Sequence, residues 1–216
     1  MTQKTTIRTL LLAITAVLGL AAAAHAQTAG ASTPAPAPDT GKGLLGQTYV
    51  NLGYSYMDLH DTSVDLQALR FEYNQPLNTG FDLNLGYTNA WSSQFSGTRS
   101  TQQLFDATAV AFVPGLSWGR PYIGVGAGWI WTKNSGVKDN SFLYQGETGV
   151  EFQATAELSI TPFAKYVDAT SVDISNKWSY GVKANYWVTN QWGLSASLAR
   201  DNMVNTTYGV GMNFRF

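Results

Sequence analysis

The side chains able to do chemistry are few. The 216 residues include no cysteine and two histidines, which removes disulfides, thiolate nucleophiles and thiolate metal sites. His60 stands in the run Asp58-Leu-His60-Asp61-Thr-Ser, and an aspartate two residues from an imidazole is the pairing a general base uses. The rest of such a site is missing: the sequence has no Asp-x-Asp and no His-x-Ser. A structural metal site needs a His or Cys cluster, and none occurs. Asp58, Asp61 and Asp65, or Asp168 and Asp173, could offer oxygens to calcium but lack EF-hand spacing. Gly124-Val-Gly126-Ala-Gly128 has the glycine spacing of a phosphate loop, yet it lies inside an alternating run and precedes no helix. No catalytic, cofactor-binding or metal-binding residue is therefore expected. A net charge of −1 also gives no basic field for nucleic acid.

What remains is a set of charges with one property in common. Arg70, Glu72, Asp82, Asp106, Glu147, Glu151, Lys165, Lys183 and Arg215 fall on the polar side of runs in which apolar and polar residues alternate. Such alternation puts successive side chains on opposite faces of a β-strand. In the first run Val50, Leu52, Tyr54 and Tyr56 oppose Asn51, Gly53 and Ser55; in the last, Tyr208, Val210, Met212, Phe214 and Phe216 oppose Gly209, Gly211, Asn213 and Arg215. About ten such runs fit between residues 47 and 216, each the length of a tilted transmembrane strand. The fourth run (Phe105 to Val113) is uneven and the ninth (Leu194 to Leu198) is short, so eight strands is the alternative.

The polar faces carry Gly, Ser, Thr and Asn with few charges, unlike the Lys- and Glu-rich face of a solvated sheet. A lipid-facing Lys or Arg at the bilayer midplane costs about 2–4 kcal/mol. Within the runs the one outward charge is Arg200, at a strand end where it can snorkel. The expected fold is all-β: a transmembrane, antiparallel, up-and-down barrel. Connections at 74–80, 114–119, 155–158 and 189–191 are short; those at 59–63, 92–101, 133–140 and 168–176 are longer and more polar. This alternation suits periplasmic turns and external loops. Most of the seven tryptophans stand near strand ends, where interfacial girdles form. Trp187, in the inward register, is placed to cap the lumen floor. Ten glycines (53, 86, 124, 126, 128, 149, 181, 193, 209 and 211) face the lumen, where they leave space or permit curvature.

Residues 1–26 have the plan of a secretory signal: Lys4 and Arg8, an apolar run from Leu10 to Ala24, and Ala24-His25-Ala26 as a cleavage site. Residues 27–46, with alternating prolines between 34 and 38, form an extended periplasmic spacer. The barrel then occupies 47–216.

The opening Tyr49-Val-Asn-Leu-Gly-Tyr-Ser-Tyr56 and the ending Tyr208-Gly-Val-Gly-Met-Asn-Phe-Arg-Phe216 resemble small bacterial outer-membrane β-barrel proteins, the OmpA-like, OmpX-like and opacity-type porin family. Gly211, Phe214 and Phe216 resemble the C-terminal signal read by the barrel-assembly machinery, although Gly209 stands where that pattern has a polar residue. The resemblance implies the outer membrane of a Gram-negative bacterium, with spacer and C-terminus periplasmic. It implies outer-membrane lipid, lipopolysaccharide and the assembly machinery as partners, with small solutes or a host surface as further candidates. The expected function is non-enzymatic: a small porin-like or membrane-integrity protein with a charge-paired narrow lumen, in which Glu147 or Glu151 pairs with Lys165 or Lys183. The alternative is surface adhesion through the external loops. More remote is an outer-membrane protease or lipid A-modifying enzyme, which would draw on His60.

Overall fold

A computed structural model describes residues 43–60, 65–92, 100–116, 118–134, 137–171 and 177–216. The chain divides into two units, Met1–Ala37 and Pro38–Phe216. The first lies outside the described residues, so the leader and most of the spacer do too, as do Asp61 and Asp173.

The second unit is built from ten strands: β1 Tyr49–Asp58, β2 Asp65–Asn78, β3 Phe81–Ser92, β4 Thr101–Phe112, β5 Arg120–Asn134, β6 Val137–Gln153, β7 Leu158–Ala169, β8 Trp178–Trp187, β9 Trp192–Asp201 and β10 Thr206–Arg215. Each pairs antiparallel with the next, and β1 pairs with β10 from Tyr49↔Arg215 to Asp58↔Thr206. The sheet is thus a closed up-and-down barrel with no free edge. Closure gives every strand a hydrogen-bonding neighbour on both sides, the condition for β-structure to cross a hydrocarbon layer.

Register settles which face is which. Leu52, Ile123 and Val210 point outward and are 60–61% exposed, whereas Asn213, Asn185 and Asp82 point inward at 0–1%. A water-soluble sheet protein would bury the first set and expose the second. This barrel carries an apolar belt outside and a polar packed interior, the arrangement of a membrane-spanning β-barrel.

Both weak runs are full strands. β4 covers 12 residues and β9 covers 10, so the strand number is ten and not eight. Along β4 the alanines at 107, 109 and 111 supply the outward face between Phe105 and the strand end.

Two expectations need correction. The segment 133–140 is not a long loop: β5 runs to Asn134 and β6 starts at Val137. Nor is Arg200 the only outward charge in a strand. Asp58, Asp65, Lys133, Lys138 and Asp168 also lie in strands on the outward register. All sit at strand ends on one side of the barrel. The strands extend past the apolar belt, and there polar residues replace the apolar ones that marked strand in the sequence. We call this side the loop mouth, and the side holding Tyr49 and Arg215 the terminal mouth.

Candidate functional site in the barrel lumen

The terminal mouth holds a segment of the chain itself. Residues 43–48 turn into the barrel ahead of β1. Gly43 and Gly46 adopt φ of 74° and 75°, the left-handed conformation that glycine takes without steric cost. The turn offers its backbone groups to charged side chains of the wall. Leu44 N–H donates to Glu151 Oε2 (2.6 Å) and Gly46 N–H to Asp82 Oδ2 (2.8 Å). Arg120 Nη1 donates to the Leu45 carbonyl (2.7 Å), and Asn74 Nδ2 to the Gln47 carbonyl (2.8 Å) and to Asp82 (3.0 Å). Arg120 and Glu151, cross-strand partners on β5 and β6, also form an ion pair. Leu44 packs with Tyr49 and Trp187 as a small buried apolar cluster. The boundary expected at 46/47 falls inside this segment. Below it Trp187 is inward and 4% exposed, as a floor residue should be. The Arg215 guanidinium lies 4.5 Å over its ring and donates to the Asn190 carbonyl through Nε (2.9 Å) and Nη2 (2.6 Å).

Above this plug the wall is laced by polar side chains. Arg70 on β2 reaches past β3 to Asp106 on β4 with two hydrogen bonds (2.8 and 3.1 Å), and also binds Glu72 (3.2 Å) and Thr88 (3.0 Å). Tyr49 Oη donates to Glu72 (2.8 Å), and Tyr122 Oη to Glu147 (2.7 Å). Gln145 on β6 reaches past β5 to Thr108 (2.6 Å) and Asp106 (3.3 Å) on β4. Asn51, Asn213 and Asn185 continue the chain across β1, β10 and β8 (2.7 and 3.4 Å).

Long inward side chains account for several of the lumen glycines. Arg70 lies over Gly86, where a Cβ would overlap its guanidinium. Gln145 crosses above Gly126, the register partner of both Gln145 and Thr108. A Cβ at Gly149 would lie 2.7 Å from Tyr122 Cε1, and one at Gly193 2.9 Å from Trp187 Cε3. The room that glycine leaves is thus filled by a neighbour's long side chain at these positions.

Of the charges singled out in the sequence, Arg70, Glu72 and Asp106 form one group, and Asp82 and Glu151 grip the plug. Glu147 takes the Tyr122 hydroxyl. Lys165 is the register partner of Glu147; with Lys183 it lines a cavity of about 370 Å³ above the plug. Neither lysine makes an ion pair within 4.0 Å among the described residues. The expected pairing of Glu147 or Glu151 with Lys165 or Lys183 is not formed among the described residues: Glu151 pairs with Arg120 and Glu147 accepts from Tyr122. Sequence reasoning left out Arg120, Tyr122, Asn74 and Gln145, although each shares the inward parity of its strand. At the barrel's end Phe214 packs against Trp192 (4.7 Å) and Phe216 (5.1 Å) on the outer surface, while Gly211 faces inward between Gly53 and Ser195. His60 lies at the loop mouth, exposed, with its backbone N–H donating to Asn205 Oδ1 (3.0 Å).

The architecture is that of the small outer-membrane β-barrels. No protein-family model matches the chain, and no curated protein does. Solved structures with a similar strand layout include Neisserial surface protein A (12% identity, 78% of this chain and 96% of that one, TM-score 0.44). They also include the KdgM porin in complex with disordered oligogalacturonate (13%, 78% and 99%, TM-score 0.42). A third is OprG from Pseudomonas aeruginosa (10%, 79% and 96%, TM-score 0.42). No activity is drawn from these similarities; the assignment rests on the apolar belt, the closed sheet and the polar interior.

Proposed function

We propose that this is a non-enzymatic outer-membrane barrel of the membrane-integrity type. Its charge-paired lumen is narrow and is stopped at the terminal mouth by residues 43–48. The observation that carries this is the grip of Glu151, Asp82 and Arg120 on the backbone of that segment. A backbone turn seated inside the mouth narrows the passage, and a buried ion pair that also satisfies peptide groups is held in one arrangement. On this basis the termini are periplasmic and the loop mouth is external. Small solutes would pass slowly, around or after release of the plug.

Planar-bilayer recording of the purified protein tests it. The expected result is a silent or very low conductance, with brief openings. A large, steady open state in the wild type would overturn the proposal. Surface recognition would fall chiefly to the segments at 92–101 and 168–176, most of which lie outside the described residues.

A further inference from the structure

The strands carry no outward Lys, Arg, Asp or Glu at the terminal mouth, whereas the loop mouth has several. One arrangement there is unusual. Lys133 on β5 and Lys138 on β6 are direct cross-strand partners on the outer surface, and both are exposed. Like charges directly opposite across a strand pair repel. Neither lysine has an ion-pair or hydrogen-bond partner among the described residues.

Below them on the same face come the pairs Trp131/Asn140 and Trp129/Phe142, the latter with ring centroids 6.4 Å apart. Indole rings of this kind mark the edge of the hydrocarbon. The outward face of β6 from Phe152 to Phe142 spans about 25 Å along the membrane normal at ordinary strand rise and tilt, the height of an apolar belt. Lys138 is four residues further along, about 10 Å beyond that edge, at headgroup depth.

We propose that Lys133 and Lys138 clamp a phosphate group of lipopolysaccharide in the outer leaflet, with the acyl chains lying down the Trp131–Phe142 face. An anion between the two ammonium groups relieves their repulsion, and the indoles below bind what such an anion is attached to. Phosphate matches two point-charge donors on flexible stems, and the apolar face continuing beneath favours a lipid over a free ion. The site rests on the proposed external position of the loop mouth.

The test uses the purified protein in detergent, titrated with bisphosphorylated lipid A, with its dephosphorylated form and with phosphatidylglycerol, bound lipid being counted by native mass spectrometry. Bisphosphorylated lipid A should bind at least tenfold more tightly than the other two. Lys133→Gln with Lys138→Gln should remove most of that advantage, and Lys133→Arg with Lys138→Arg should keep it. Heat-modifiable gel mobility confirms that each variant is folded. Equal binding of the dephosphorylated form, or binding unchanged in the double Gln variant, overturns the proposal. Phosphatidylglycerol binding as well as lipid A does so too, because the site would then be a general anionic-lipid contact.

Orientation is read separately. The chain has no cysteine, so Lys138→Cys gives one thiol for a membrane-impermeant maleimide. Labelling on intact cells supports the site. Labelling only after permeabilisation overturns both the orientation and the lipopolysaccharide assignment, whereas labelled cells without lysine-dependent binding overturn the clamp alone.

Discussion

Arg70 shows what a lumen charge does in this barrel. It lies across Gly86 to bind Asp106, two strands away, and holds Glu72 on the way. Two variants separate the ion pair from the seat it needs. Asp106→Ala leaves a partly buried guanidinium short of its main partner and should cost about 2–3 kcal/mol, read as a lowered urea midpoint in lipid vesicles. Gly86→Val should cost a similar amount by pushing Arg70 aside. Gly146→Ala should be nearly neutral, because Gly146 faces outward and a Cβ there would have only the Gly124 carbonyl within reach, at 4.0 Å. Equal losses for Gly86→Val and Gly146→Ala would show that the lumen glycines are not seats. Which side each of these residues takes is legible in the sequence, since parity along a strand is enough. Which partner each takes is not. Arg70 and Gln145 bond to strands that are not their neighbours, so the pairing depends on registers summed over two strand junctions.

Among the elements, the turn at 43–48 is the one that hydrophobic alternation does not reveal. Its sequence, Gly-Leu-Leu-Gly-Gln-Thr, has no alternation and follows a proline-rich stretch, so composition groups its first four residues with the spacer. The side chains that hydrogen-bond to it come from β2, β3, β5 and β6, remote in sequence. Glu151→Gln with Asp82→Asn should weaken the grip on the Leu44 and Gly46 amides and raise the frequency of channel openings at least tenfold, measured in planar bilayers. No change in gating would mean that the turn does not obstruct conduction. Gly46→Ala should act in the same direction more weakly, since alanine at that φ costs about 1 kcal/mol. The ends of β5 and β6 are hidden in the sequence for a related reason. Hydrophobic alternation reports contact with lipid, and β5 and β6 continue beyond it to Asn134 and Val137.

For the whole molecule, an apolar outer surface and a bonded interior predict behaviour that composition alone does not. The mean hydropathy is −0.10, the value of a soluble protein, because inward polar residues offset outward apolar ones. The folded protein should nevertheless fractionate with urea-washed outer membranes. It should migrate faster on gels before boiling than after, as closed barrels that resist detergent do. Recovery in the soluble periplasmic fraction would refute the membrane assignment. The fold follows from alternation and run length, and the choice of ten strands over eight from the full length of β4 and β9. The interior is only half legible, because inward charges of both signs announce that ions will pair without saying that a backbone turn takes part in the pairing.

The seam between β1 and β10 has a consequence for the order of assembly. The turn at 43–48 is made early in synthesis, yet Leu44 rests against Trp187 of β8 and bonds to Glu151 of β6. These partners surround it only when the last strand has joined the first. Docking of the turn should therefore be a late kinetic phase, one that follows closure and locks it. With Trp187 the inward tryptophan that packs on Leu44, Leu44→Ala should abolish a slow refolding phase in tryptophan emission while sparing the earlier rise in β-sheet circular dichroism. The sequence's N-proximal residues would then act as the bolt that its C-terminal strand makes it possible to slide home.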